Sequence, residues 1–393
     1  MNNNTLICFL MLLGIFAPTS IGGSLQPLLG VGVALFFFPF LCYLLLKQRR
    51  VDVVNLFIAL AFGVLIVFFT FMSDYDTYRY GNGLMFTNLF LLSLINSDKN
   101  PDNLGIYIKT LMLVNLYIFF LSICIMLDIP PGGDIVRNIY QAFYIELIPN
   151  MLMQNKPVTV FGTHSLAGFY DFILFLANLA VYKYNKELKF LLISIGYMIF
   201  LFWLQSSTSL VYLLIAIVLL QIELYKAQRF LFFTLLAIEL LSIVLLFQIA
   251  GDLIAATLTQ LFSDRNGLGG RYSESGNLVN NLNYILAHPF KGIGFAYSTD
   301  FFYADSGYLE YALRNSILGA IGVFIAFSRF ILRNVKTSHR YLLLAAYLSF
   351  EVGFSNLLYF RTFAITLFIV ALYNQLQRQP NKTITNHQIR ELS

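Results

Sequence analysis

Apolar residues run through this chain in long blocks separated by short polar breaks. A helix needs roughly 20 apolar residues to cross the hydrocarbon core of a bilayer. The breaks mark off twelve runs near that length, at 5–21, 27–46, 53–72, 83–96, 104–127, 164–182, 189–205, 209–225, 230–250, 308–332, 341–358 and 361–376. The pattern predicts an all-α, polytopic membrane protein of about 12 transmembrane helices, a single integral membrane domain over 1–393 with a short polar tail at 377–393. Two connections, 128–163 and 251–307, are long enough to fold. The first holds an amphipathic piece from Val136 to Leu147 suited to the plane of a membrane surface.

The second connection, between the ninth and tenth runs, is the richer. From Ser273 onward the spacing predicts a helix with Leu278, Leu282, Ile285 and Leu286 on one face and Asn280, Asn281 and Asn283 off it. Pro289 ends that helix, because a proline disfavours helical geometry at the residue before it. His288 is thereby placed at a helix carboxyl end, just before Gly292 and Gly294 let the backbone turn sharply. Asp305 precedes the tenth run, with Ser306 and Gly307 as its helix start.

Composition agrees with the pattern: 58% of residues are hydrophobic and only 11% charged, against about 25% charged in soluble domains. Lys and Arg collect in the connections at 47–50, 183–189, 226–229, 329–340 and 378–390. The bias of cytoplasmic loops toward positive charge places these connections and both termini inside, and the two long connections outside. Anionic headgroups account for the formal charge of +5, so no nucleic-acid partner is implied. The amino-terminal stretch MNNNTLICFLMLLGIF lacks a basic leader and is predicted to be a retained first span. Cys8, Cys42 and Cys124 all lie inside apolar runs, where no disulfide framework is built. No His or carboxylate cluster has metal-ligand spacing, so neither metal nor cofactor is expected. Asp171, Glu239 and Glu351 fall within apolar runs, where ionisable groups are costly and face the protein interior.

Candidate chemistry gathers between 264 and 322. The order Arg271, then His288-Pro289-x-x-Gly292-x-Gly294, then Asp305-x-Gly307-Tyr308-Leu309 and Gly319 resembles the O-antigen polymerase and ligase superfamily of bacterial membrane glycosyltransferases. Two patches agree, Phe161-Gly162-Thr163-His164-Ser165 and Gln205-Ser206-Ser207-Thr208-Ser209, so the resemblance covers about 157–322. It implies a metal-independent glycosyltransferase at the periplasmic face of the bacterial inner membrane, moving a glycan from undecaprenyl pyrophosphate to an acceptor hydroxyl. Its partners would be lipid-linked oligosaccharide, membrane lipid and a chain-length regulator protein.

The chain departs from the pattern twice. Ligases of the superfamily carry a histidine before the Tyr-Leu pair where this sequence has Asp305, which favours a repeat-unit polymerase for O-antigen, capsule or exopolysaccharide. Thr208 stands where the family often has an arginine. A ligase and a lipid-linked oligosaccharide flippase or other transporter remain as alternatives.

The resemblance implies Arg271 and Arg265 as donors to the pyrophosphate, since arginine presents a planar fork to phosphate oxygens. Asp305 or His288 would be the base for the attacking hydroxyl. Lys291, Arg314, Tyr308, His164 and Arg361 would bind substrate, with Arg79 beside them. Each has a plainer reading. Loop arginines bind headgroups, Asp305 suits a helix amino-terminal cap, and Glu310 lies four residues before Arg314 in the order that favours an ordinary ion pair. Tyrosines concentrate at membrane interfaces in any case.

Overall fold

The computed structural model describes residues 2–17, 26–48, 51–96, 103–140, 147–227, 229–237 apart from 231 and 235, 271–273, 276–303, 305–337 and 339–378. Almost everything described is helical. In chain order the helices are α1 (Asn3–Phe16), α2 (Gln26–Lys47), α3 (Val53–Phe71), α4 (Gly81–Leu94), α5 (Leu104–Met126), α6 (Pro130–Ile135), α7 (Leu147–Met153), α8 (His164–Asn185), α9 (Leu188–Trp203) and α10 (Ser207–Ala227). They continue with α11 (Val279–Ala287), α12 (Gly307–Asn334), α13 (His339–Phe350) and α14 (Phe360–Arg378). Five of them, α3, α5, α8, α10 and α12, are long and apolar enough to cross a bilayer. The predicted run at 230–250 and Glu239 fall mostly or wholly outside the described residues, as does the first part of the connection 251–307, Arg265 included.

Apolar sequence does not by itself say which helix is core and which meets lipid. Burial does: 94% of the hydrophobic window of α8 is buried, against 28% for α3 and for α10. In α14 every residue from Phe360 to Leu376 is buried. The bundle is therefore built around α8 and α14. Small residues let helices approach: a methyl on Gly168 of α8 would lie 2.9 Å from Ser209 Cβ at the start of α10.

The connections sort to two ends of the bundle. At one end Asp52 caps α3, accepting from Asn55 N (2.9 Å), and pairs with Arg333 (2.7 Å) and Arg329 (3.1 Å) of α12. Arg333 also donates to Ser93 O and Ile95 O at the end of α4. Lys183 and Glu223 pair at 2.8 Å, tying α8 to α10. This is the basic end, and it gathers the connections expected to be inside.

Burial alone would raise the Asp52 carboxyl, but the Asn55 N–H and the two arginines outweigh it and hold the group below its ordinary 3.8. A depressed carboxyl adds stability that is present above 3.8 and is lost as pH falls through the folded value. Asp52→Ala is expected to cost about 2 kcal/mol, roughly 1 for the cap and roughly 1 for the partly solvent-screened ion pairs with the two arginines. Thermal unfolding in detergent at pH 7 reads this loss, and the gap from wild type should narrow as pH falls below 3.8. An unchanged melting temperature at pH 7 would remove Asp52 from the accounting of this end.

The other end, the loop end, carries segments 72–80, 154–163, 271–307 and 351–360. The apolar run at 308–332 is not one straight helix. Asn315 (φ −138°, ψ 30°) and Ser316 (φ 66°, ψ 171°) break α12. Backbone groups freed inside an apolar bundle must find partners within the protein, and the turn after α11 supplies them. Ile317 N donates to Pro289 O (3.1 Å), while Ile293 N and Gly294 N donate to Leu313 O (2.8 Å) and Arg314 O (2.9 Å). A methyl on Gly292 would lie 2.4 Å from Arg314 O. The His-Pro-x-x-Gly-x-Gly sequence is thus the plug that seals a broken helix.

Two expectations need correction, and a third is described only in part. The run at 341–358 is not one helix: α13 stops at Phe350, followed by a turn and a 3₁₀ turn at Asn356–Leu358. On α11, Leu286 is 66% exposed and Asn281 is buried. Asn281 takes the core position because its amide bonds both backbone groups of Phe302, donating to O (2.7 Å) and accepting from N (2.9 Å). Finally, the piece from Val136 begins as a single π-helical turn, Val136–Tyr140, and its remainder up to 146 lies outside the described residues.

Candidate functional site

Arg271 leads into α11, since Leu278 N donates to Arg271 O (3.1 Å). Its Nη1 donates to Gly353 O (2.9 Å) and lies 3.8 Å from Asp305 Oδ1. Both side chains are a little over one quarter exposed, 28% and 27%, so a ligand at the loop end can reach them. Tyr272 braces the pair from behind, its hydroxyl bonded to Val352 O (2.6 Å) and Ser306 Oγ (2.8 Å). Ser306, not Asp305, caps α12 by accepting from Leu309 N (3.4 Å). The carboxylate of Asp305 is therefore left facing Arg271. Burial pushes Asp305 above its ordinary 3.8, and Arg271 pulls it partly back.

Beneath the pair lies a buried polar layer. Glu351 is fully buried and accepts from Tyr311 OH (2.7 Å) and Leu357 N (2.7 Å), while its own carbonyl accepts from Gly307 N (2.8 Å). Glu310 accepts from Ser355 Oγ (2.6 Å), and Tyr170 reaches across from α8 to Thr362 (2.8 Å) and Asn356 (3.1 Å). This layer fixes the α13–α14 turn that presents Gly353 O to Arg271.

Among the described site residues, His164 is one on which the charge of Arg271 acts. It is the first residue of α8, whose cap is Thr163, accepting from Leu166 N (3.2 Å). Its Nδ1 is buried with no hydrogen-bond partner among the described residues. His288 is elsewhere. It caps the far end of α11, with Nδ1 3.2 Å from Tyr284 O and its ring on Tyr284. The length of α11 alone separates it from Arg271 by roughly 14 Å, at 1.5 Å per residue. It is an exposed helix-end residue rather than the base for this pair.

The remaining cations do structural work. Arg314 is 1% exposed and donates to Gly294 O (3.2 Å) and Ala296 O (2.7 Å), with its guanidinium over the Tyr303 ring, so the plug is pinned to the broken helix. Arg361 is 3% exposed and donates to Gly14 O (2.8 Å), Ala17 O (3.2 Å) and Val160 O, joining α14, α1 and the loop before α8. Neither is placed to bind substrate, because backbone carbonyls hold both side chains in the interior. Lys291 faces Asp74 at 3.7 Å. Tyr308 donates to Leu348 O (3.0 Å) and stacks on Phe324. Arg79 lies 3.6 Å over Tyr297, beside the two-residue antiparallel ladder of β1 (Thr77–Tyr78) and β2 (Ala296–Tyr297).

No family model, curated protein or solved structure matches this chain.

Sequence reasoning missed Tyr272 and the Gly353 carbonyl; it turned Glu351 to the interior, where the structure has it, but missed its partners Tyr311 and Leu357. Tyr272 stands next to Arg271, but in the sequence it is indistinguishable from the many other interfacial tyrosines. A carbonyl has no side chain to notice.

Proposed function

We propose that this protein is a membrane glycosyltransferase that lengthens a lipid-linked glycan at its loop end, a repeat-unit polymerase working on the periplasmic side of a bacterial inner membrane. One observation carries the reading: a half-buried arginine and a carboxylate facing each other where the long polar connection meets α12 and α13. In this chemistry the C1–O bond to the pyrophosphate breaks as a new C1–O bond forms to the acceptor hydroxyl, and the hydroxyl proton must leave. Arg271 supplies N–H donors to the departing pyrophosphate. Asp305, ionised, accepts the proton.

The pH sign follows. A base must be ionised to act, and burial has raised Asp305, so the rate falls as pH drops through a value above the ordinary 3.8. Asp305→Asn should remove about 10²–10⁴ of the rate and abolish that acidic limb, measured by in vitro lengthening of purified lipid-linked repeats. A variant with wild-type rate and profile would take Asp305 out of the mechanism.

The reading as a whole is tested in a host lacking the gene. Lipopolysaccharide bearing a single repeat, with a ladder restored by the wild-type gene, is the polymerase result. Bare core with lipid-linked polymer accumulating would mean a ligase.

A second reading has one observation of its own. Asp171 in α8 is 1% exposed, and among the described residues neither carboxylate oxygen has a hydrogen-bond partner. An unpaired carboxyl deep in a bundle is what a transporter uses to couple ions or protons to movement. Repeats trapped on the cytoplasmic face of the deletion host would select that reading and retire the first.

A further inference from the structure

α11 keeps one side exposed along its length, and that side changes character from end to end. Asn277, Asn280 and Asn283 are exposed from just before its start, and Leu286, Ala287 and Phe290 continue the same three- or four-residue spacing past its end. Residues so spaced share a helix face. Leu286 is 66% exposed and Phe290 70%. His288, also exposed, folds its ring back on Tyr284, toward the asparagine end. Two apolar side chains at a surface mean little alone; their depth in the bundle gives these two a meaning.

The depth is read against α3, whose exposed apolar residues run up to Phe71 (81%) and Met72. The turn after α11 packs below them. A methyl on Gly294 would meet Thr70 N and Ile66 O, one and five residues short of Phe71. Asn315, at the break this turn seals, donates to Phe62 O (2.8 Å), nine residues short. At 1.5 Å per residue the seal lies roughly 2–14 Å below the top of the exposed apolar belt of α3. The exposed side of α12 agrees. Pro289 O accepts from Ile317 N (3.1 Å), and the residues that follow this bonded pair are Phe290 and Leu318, the first of the exposed stripe Leu318, Ile321 and Ile325. Lys291 comes next after Phe290, and its ammonium lies 3.7 Å from Asp74, three residues beyond Phe71. A lysine stem that lies along apolar surface and carries its charge to the membrane boundary behaves in this way.

We propose that the end of α11 and the turn after it are inserted in the bilayer leaflet at the loop end, with phospholipid acyl chains covering Leu286 and Phe290 while Asn277 stays in water. Lipid is the occupant because this face continues the exposed apolar faces of α3 and α12, and a protein docking from the water would have to reach below Met72 to cover it. Backbone that is not helical survives at such depth only where it bonds within the protein. This turn does so, with Lys291 N on His288 O (3.1 Å) and Ile293 N and Gly294 N on the carbonyls of Leu313 and Arg314. A piece of the connection 251–307, whose sequence predicts it outside the membrane, thus dips into the bilayer and returns. The proposal goes beyond the glycosyl-transfer reading and stands without it.

The test is tryptophan quenching in the full chain. Trp203 is the only tryptophan, so Trp203→Phe gives a dark parent into which Phe290→Trp, Leu286→Trp and Asn277→Trp are placed one at a time. Each protein is reconstituted in phosphatidylcholine vesicles whose acyl chains carry bromine near the headgroup end, and separately in plain vesicles titrated with iodide. Phe290→Trp and Leu286→Trp should each lose most of their emission to the brominated lipid and little to iodide, and Asn277→Trp should do the reverse. Thermal unfolding alongside the Trp203→Phe parent shows that each variant is folded, and Leu286→Trp gives the reading on its own where Phe290→Trp is not. Iodide quenching of Phe290→Trp and Leu286→Trp as strong as that of Asn277→Trp would put this end of α11 in water and overturn the proposal. Protection of both from either quencher would overturn it as well, because protein and not lipid would then cover the face.

Discussion

Arg271→Lys is expected to abolish glycan lengthening in cells while the protein still reaches the membrane at its normal level. The charge is kept, so a loss would be a loss of geometry. Arg271 uses Nη1 on Gly353 O (2.9 Å) and faces Asp305 at 3.8 Å, and a planar guanidinium with five N–H donors can keep such partners and still present a fork to a phosphoryl group. An ammonium on a flexible stem cannot hold the carbonyl and span two phosphate oxygens together. Removing one preorganised donor from developing negative charge costs about 10²–10³ in rate, enough to erase a ladder. Immunoblotting of membranes gives the protein level, and the lipopolysaccharide gel gives chain length. A wild-type ladder in Arg271→Lys would remove bidentate phosphate binding from the mechanism, and one in Arg271→Ala would remove the residue altogether.

The helices of this protein are legible in its sequence because long apolar runs have few other uses, and α3, α5, α8, α9 and α10 begin and end within a few residues of the predicted runs. What the runs conceal is their rank. Lipid tails and a protein interior ask for the same side chains, so nothing in the composition of α8 or α14 marks them as core and α3 as rim. The break in α12 is concealed for a different reason. Its partners are the carbonyls and amides of 289–294, brought there by a turn whose glycines are legible but whose target is not. The arginines show the same limit. Arg271, Arg314 and Arg361 look equivalent in the sequence, and what separates them is how deeply each is buried and how far backbone carbonyls have already claimed it. Arg314 and Arg361 each hold two or more carbonyls in the interior, whereas Arg271 keeps a carboxylate partner and access to solvent. The cap shows how small a shift matters: Ser306 in place of Asp305 frees the carboxylate for Arg271.

Gly294→Ala is expected to destabilise the fold by about 2–5 kcal/mol, the sum of a backbone term and a packing term. The residue sits at φ 62°, where an L side chain adds about 1–2 kcal/mol of backbone strain. Its added carbon would lie 2.4 Å from Thr70 N and 2.7 Å from Ile66 O, backbone atoms that cannot swing aside, and overpacking of that kind adds about 1–3 kcal/mol. The damage would spread, because Gly294 O accepts from Arg314, Gly294 N donates to Arg314 O and Phe295 N donates to Thr70 Oγ1 (2.9 Å). Displacing the plug therefore uncovers the break in α12 and shifts the start of that helix, from which Asp305 is hung. Gly63→Ala in α3 is the matched control: a methyl there meets nothing within 4 Å, and replacing a helical glycine gains up to about 1 kcal/mol. Thermal unfolding of the two variants in the same detergent should move in opposite directions. If Gly294→Ala melts with wild type, the turn is not what seals α12, and the position of Asp305 must be held by the Glu351 layer alone.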